Sequence, residues 1–248
     1  MNTKKILNGV FGTVLALGFM SAGTANALVV DGDASAYAVQ ANLFGSPLIG
    51  PIPHSTANGN ESDSDSVISL DTTYLDAGVL NSSASSNVDG SPGSKTAEAS
   101  SSIAYLDLGI LLNGLSADLI SSNSSVTGDQ GSFNAIGSSS IVNLTGYGIF
   151  DPLNGITITG APNQTLLSLA GIEVIANRQT STCSATDCFM TTDALYIDVL
   201  GKVTLTLASS HAHLAAIPEP ETYAMMLVGL AGLVGSKRMR NKVRAVTA

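Results

Sequence analysis

Apolar and polar residues alternate with period two through most of the middle of this chain, and clusters of Gly, Pro, Asn and Asp interrupt the alternation. The pattern predicts strands over residues 36–44, 101–108, 115–121, 140–149, 166–177 and 194–207, with a short one at 155–160 between glycines. In the 194–207 stretch, Leu195, Ile197 and Val199 face one way, and Tyr196 and Asp198 the other. Gly201-Lys202 then makes a turn, and Val203, Leu205 and Leu207 begin a new alternation. Asp89-Gly90-Ser91-Pro92-Gly93 and Asp151-Pro152-Leu153-Asn154-Gly155 carry turn chemistry. Residues 55–66 are polar and acidic and read as a mobile loop. Residues 82–102 read either as a second such segment or as an exposed sheet edge, and Ile110-Leu111-Leu112 as a strand end or a helical turn. Short strands at this spacing predict an all-β, antiparallel, sandwich-like single domain without internal repeats.

The two ends follow other patterns. Lys4 and Lys5, an apolar run to Met20, and small residues ending in Ala25-Asn26-Ala27 form a secretory signal peptide over residues 1–27. Ala25 and Ala27 are the positions read by signal peptidase, with cleavage expected after Ala27. At the other end, Ile217-Pro218-Glu219-Pro220 leads into an apolar segment. A short transmembrane helix is expected over about 223–236, shorter than the roughly 17–25 residues that comfortably span a bilayer. Gly229, Gly232 and Gly235 give it a face for close packing. Lys237, Arg238 and Arg240 open a basic stop over 237–244 that stays cytoplasmic. Each proline fixes φ and pushes the preceding residue toward an extended form, so Pro218-Glu219-Pro220 is stiff and suited to an enzyme cleft. The exported domain lies between these ends, at 28–216, and the sorting and anchor segment occupies 217–244.

This order of Pro-Glu-Pro, glycine-rich apolar helix and basic end resembles the PEP-CTERM signal of Gram-negative bacteria. The resemblance covers about the last 30 residues. It implies recognition of Pro218, Glu219 and Pro220 by an integral-membrane exosortase and removal of the tail. It also implies delivery to the cell surface or to an exopolysaccharide or biofilm matrix. The basic tail, ending in Ala245-Val246-Thr247-Ala248, is longer than usual for that signal. A second resemblance, to the choice-of-anchor P family of surface domains, rests on Asp193-Ala194-Leu195-Tyr196-Ile197-Asp198-Val199-Leu200-Gly201 and Ala208-Ser209-Ser210-His211-Ala212-His213. It rests also on Ala36-Tyr37-Ala38-Val39, Phe44-Gly45 and Gly50-Pro51-Ile52-Pro53. It implies a surface protein and brings no catalytic residues.

Composition narrows the function classes. Between residues 28 and 217 there are 3 basic and 17 acidic residues, a net charge of −14. Nucleic acid is excluded as a partner on that balance, while divalent cations are natural bridging partners. Cys183 and Cys188 are the 2 cysteines. In an exported chain such a pair predicts a disulfide closing a small loop.

Serine is too common to mark a nucleophile, and no G-x-S-x-G elbow occurs. His211 and His213, at i and i+2, share a strand face, but no third metal ligand is identifiable by spacing, so neither a metal site nor a cofactor is expected. Glu61-Ser62-Asp63-Ser64-Asp65 resembles the start of a calcium loop but lacks Gly and Glu at its sixth and twelfth positions. Without Trp, and with 6 Tyr and 6 Phe, the chain is poor in the aromatics on which sugars stack.

The sequence therefore predicts a non-enzymatic exported protein. Its partners are signal peptidase and exosortase during processing, with a transient membrane anchor, and then exopolysaccharide at the surface or in the matrix. A calcium- or carbohydrate-binding surface module is the alternative, and a hydrolase with a site assembled only in space is the remaining one.

Overall fold

Apolar residues two apart share a face only on an extended backbone, and the computed structural model of the chain is extended almost throughout. It describes residues 27–110, 113–129, 131–218, 227 and 229–231. The strands are β1 (Ala27–Leu43), β2 (Ser46–Asn58), β3 (Asn60–Val67), β4 (Leu70–Asp71), β5 (Leu75–Ala77), β6 (Leu80–Asn87) and β7 (Lys95–Ile110). There follow β8 (Asn113–Asp129), β9 (Ser132–Val142), β10 (Thr145–Tyr147), a 3-10 turn at Gly148–Leu153, β11 (Gln164–Leu169), β12 (Ile172–Cys183), β13 (Asp187–Val199) and β14 (Val203–Pro218). Leu28–Ala216 forms one compact unit.

One sheet has the order β11-β12-β13-β14-β1-β2. The other is built on the β7–β8 hairpin. There β5 and β6 share the free side of β7, β9 and β10 share the free side of β8, and β4 and β3 lie outermost beside β5 and β6. The described pairings are antiparallel. Both sheets feed one core: Val39, Val174, Leu195 and Leu207 from the first meet Leu80, Ile103, Leu115 and Ile120 from the second.

The interior is graded along the strands. Large aliphatics dominate one half, while the other is richer in small residues, with Ala34, Ala36, Ala57, Ala84, Ala97, Ala99 and Ala212 buried among Val29, Val126, Met190 and Leu214. Where the halves meet, the in-out alternation switches. Ile103 and Leu106 both point inward, with Ala104 and Tyr105 outside between them, and Tyr105 takes a φ of 68°. Asn177 and Ala208 mark the same switch in the first sheet, with φ of 52° and 49°. Buried hydroxyls join the sheets at this level. Ser124 Oγ meets Thr192 Oγ1 and Ser210 Oγ at 3.0 Å each, Ser55 Oγ lies 2.7 Å from Ser82 Oγ, and Ser101 donates to the Tyr37 carbonyl at 2.9 Å.

The all-β, antiparallel expectation agrees with this architecture, but several boundaries differ. The mobile loop predicted at 55–66 is instead the end of β2 and nearly all of β3. Its Ser and acidic residues have low strand propensity, but register with β6 from Asn60↔Asn87 to Val67↔Leu80 holds the backbone extended. An acidic edge strand also resists pairing with other chains. Residues 82–102 contain most of β6, a turn and the first part of β7. The 166–177 stretch is a hairpin, because Ala170-Gly171 adopts positive φ and turns the chain. The 140–149 stretch breaks at Asn143, φ 54°, into β9, β10 and the 3-10 turn. Residues 156–160 are not a strand, since Gln164 ties them down through Thr157 and Thr159.

Ala27 is the first residue of β1 and Pro218 the last of β14. Ala25, Glu219, Pro220, Lys237, Arg238, Arg240 and the Leu111-Leu112 tip lie outside the described residues, as does most of the expected 223–236 helix. Of that helix, residues 227 and 229–231 are helical. No helix among the described residues is long and apolar enough to cross a membrane.

Candidate functional site

The register of the second sheet turns a serine-rich composition into an ordered surface. Ser64, Ser83, Ser100, Asn123 and Ser138 are successive partners across β3, β6, β7, β8 and β9. Ser66, Asn81, Ser102, Ser121 and Ser140 form the next outward row two residues along. On the other side lies Ser62, Ser85, Glu98, Ser125 and Ile136. Rows on a sheet stand about 6.7 Å apart along the strands and about 4.8 Å apart across them, so this face is a regular lattice of short polar side chains, and it lines an open depression of about 670 Å³. Ser83 and Ser100 hydroxyls meet across strands at 2.8 Å, and Asn81 Nδ2 donates to Ser102 Oγ at 3.3 Å. The intervening residues Ser82, Ser101 and Ser122 point into the protein and are buried.

Beyond the switch in alternation, the same face becomes aromatic and acidic. Tyr74, Tyr105 and Tyr147 are all exposed there, three of the 6 tyrosines in the chain. Composition alone understated the aromatic character of the surface, because these three are dispersed in sequence and come to one face only through strand pairing. Tyr147 lies across the backbone of β8. A Cβ on Gly114 would come within 2.6 Å of its Cε1 and Cζ and would also meet the Leu108 carbonyl, and a Cβ on Gly109 would come within 3.4 Å of the Tyr147 hydroxyl. Neither glycine has a positive φ, so what they provide here is room for the ring. Beside the ring runs a row of partners, Asp71, Asp76, Asp107, Ser116 and Thr145, in which Ser116 and Thr145 hydroxyls meet at 2.8 Å.

A second cluster lies on the first sheet. His211 and His213 share a face of β14, as their spacing predicts, and the fold adds Asp33 from β1 and Asp187 and Thr191 from β13. His213 Nδ1 lies 2.7 Å from Asp33 Oδ1, and its Nε2 lies 3.2 Å from Asp187 Oδ2. His211 Nδ1 meets Thr191 Oγ1 at 2.8 Å, and its Nε2 lies 3.7 Å from Asp33 Oδ2. Burial pulls the His213 pKa down, but its hydrogen bonds to Asp33 and Asp187 outweigh this and raise it overall. Burial lowers that of His211, against the pull of Asp33. The His213 ring is held between two carboxylates on opposite sides, so its nitrogens do not converge with the others. Among the described residues no group of three His, Cys, Asp or Glu is placed to hold a metal ion.

Cys183 and Cys188 form a disulfide and are direct cross-strand partners in the β12–β13 hairpin. The bridge sits next to Asp187 and so fixes the hairpin end that presents this carboxylate to His213. Glu61, Asp63 and Asp65 alternate along the edge strand β3, where Asp63 accepts from the Thr56 N–H at 3.0 Å, in place of the expected solvated loop.

No protein-family model matches the chain, and no curated protein or solved structure does.

Proposed function

We propose that this chain is a non-enzymatic exported protein, sorted through its Pro218-Glu219-Pro220 tail to the cell surface or extracellular matrix, where it acts as a structural or adhesive component. The observation that carries this reading is the in-register hydroxyl and amide lattice on the outer face of the second sheet. A broad array of short polar groups lining an open depression of about 670 Å³ offers many weak hydrogen bonds without full enclosure. That suits contact with a hydrated polymer, in which each bond contributes little and repetition supplies the affinity.

Supporting features are the acidic balance of residues 28–217, the disulfide, and the two-ended targeting pattern. Within this reading the mature protein starts at Leu28, signal peptidase and exosortase act only during processing, and the membrane tether is transient. The test is immunolocalisation in the native host with and without its exosortase. The reading requires surface or matrix signal in the first case and retention in the inner membrane in the second. An unchanged distribution would overturn it.

A further inference from the structure

The aromatic end of the outer sheet face has the parts of a saccharide subsite. An aromatic ring becomes a stacking platform when one face is backed by protein and the other is open. Tyr147 meets this condition: it rests over Gly114, reaches toward Gly109, and is still 48% exposed. Tyr74, 59% exposed, follows on from this platform, since its carbonyl accepts the Gly109 N–H at 2.9 Å.

The polar groups beside the platform select the kind of sugar. Asp76 and Asp107 are direct cross-strand partners on the same face as the ring, and like charges so placed repel. The basic residues of the exported region are Lys95, Arg178 and Lys202. Lys95 pairs with Asp89, Arg178 with Asp193, and Lys202 lies by Phe44 on the first sheet. None of these three serves the Asp76–Asp107 pair. Among the described residues no group of three His, Cys, Asp or Glu is placed to hold a metal ion. An ammonium group on a ring that stacks on tyrosine fits both features, through cation–π attraction and through the carboxylates.

We propose that Tyr147, Asp76 and Asp107 form a subsite for a polysaccharide of amino sugars with free, protonated amines. The hydroxyl lattice on the same sheet face continues the track for the rest of the polymer. This rests on the matrix reading above and names the polymer that the mature protein holds.

The experiment is calorimetric titration of the full-length chain, in non-ionic detergent at pH 6, with a β-1,4-linked glucosamine hexamer. The fully N-acetylated hexamer and hexalysine are the controls. The glucosamine hexamer is expected to bind, and both controls to bind roughly tenfold more weakly or not at all. Asp76→Asn and Asp107→Asn each weaken binding, without loss of stability, because each removes a like-charge contact. Tyr147→Leu tests the platform separately: it removes the ring and leaves both carboxylates in place, so binding falls. Absence of binding at millimolar hexamer would overturn the proposal. So would equal binding of either control, or affinity unmoved by these variants in proteins whose thermal transitions show them folded. Processing and localisation are untouched by these outcomes, so the matrix reading stands or falls separately.

Discussion

Replacing Arg178 should cost more stability than replacing its partner Asp193, although the two share one ion pair. Asp193 has a side chain only 4% exposed and accepts three hydrogen bonds: from Arg178 Nε at 2.8 Å, from Arg178 Nη2 at 2.6 Å, and from Ser209 Oγ at 2.7 Å. The Arg178 side chain is 36% exposed and its guanidinium carbon stands 3.5 Å from the Tyr196 ring centroid. Arg178→Ala therefore strands a buried carboxylate with one remaining donor. Breaking a buried pair in this way costs about 3–5 kcal/mol. Asp193→Ala strands a guanidinium that keeps its stacking on Tyr196 and reaches water. It forfeits charge-assisted hydrogen bonds worth about 2 kcal/mol.

For a domain of this size, each kcal/mol moves Tm by roughly 2–4 °C. Arg178→Ala should lower Tm by about 6–20 °C, and Asp193→Ala by about 4–8 °C. The double variant should lose less than the two single costs added together, because the stranded charge disappears with its partner. Urea and thermal denaturation followed by circular dichroism at pH 7 measure all three. Equal losses, or a larger loss for Asp193→Ala, would refute the argument from unequal burial.

Two buried serines two residues apart should respond with opposite sign. Ser124→Ala breaks contacts to Thr192 and Ser210 and should destabilise by about 1–2 kcal/mol. Ser122→Ala should be neutral or stabilising in the same denaturation assay, since among the described residues the Ser122 hydroxyl is buried without a partner. The raised pKa of His213 means that its contribution is complete below about pH 6.5 and is lost as pH rises through the higher folded value. His213→Gln should therefore flatten the fall in stability above that point. His211, whose pKa is lowered, acts in the opposite sense, and His211→Gln should improve stability on the acid side, as urea midpoints at pH 5.5 and 8.5 would show. Cys183→Ser with Cys188→Ser should cost at most roughly 2 kcal/mol, because the closed loop is short. Replacing both Pro218 and Pro220 with Ala should leave full-length, membrane-retained protein in the host, read by immunoblot of the membrane fraction.

Much of the fold was legible where large apolar residues alternate. The run from Leu195 to Leu207 announced both strands and the turn between them, because burial on one face imposes period two. The serine-rich strands were not legible. Ser62, Ser64 and Ser66 on β3, and Asn81 and Ser83 on β6, carry no inward-outward contrast in hydropathy, and only pairing to neighbouring strands makes them extended. The turns at Ala170-Gly171 and Asn143 were hidden for a different reason. Ala170 has no preference for positive φ and is forced into it by the strands on either side, while Asn143 stands inside a run that otherwise reads as one strand. The His211–His213 pair was visible by spacing, but Asp33, 180 positions from His213, was not. The Tyr74, Tyr105 and Tyr147 surface was likewise invisible, since it depends on strand order and on glycines whose purpose appears only beneath a ring.

The central claim is that the chain is processed at both ends and delivered outside the cell. Intact mass of the protein recovered from the surface and medium of its native host tests it most directly. The account predicts a chain that begins at Leu28 and ends near Pro218 to Glu221. A mass that retains Arg244 and Ala248 would contradict it and identify a protein that keeps its membrane tether.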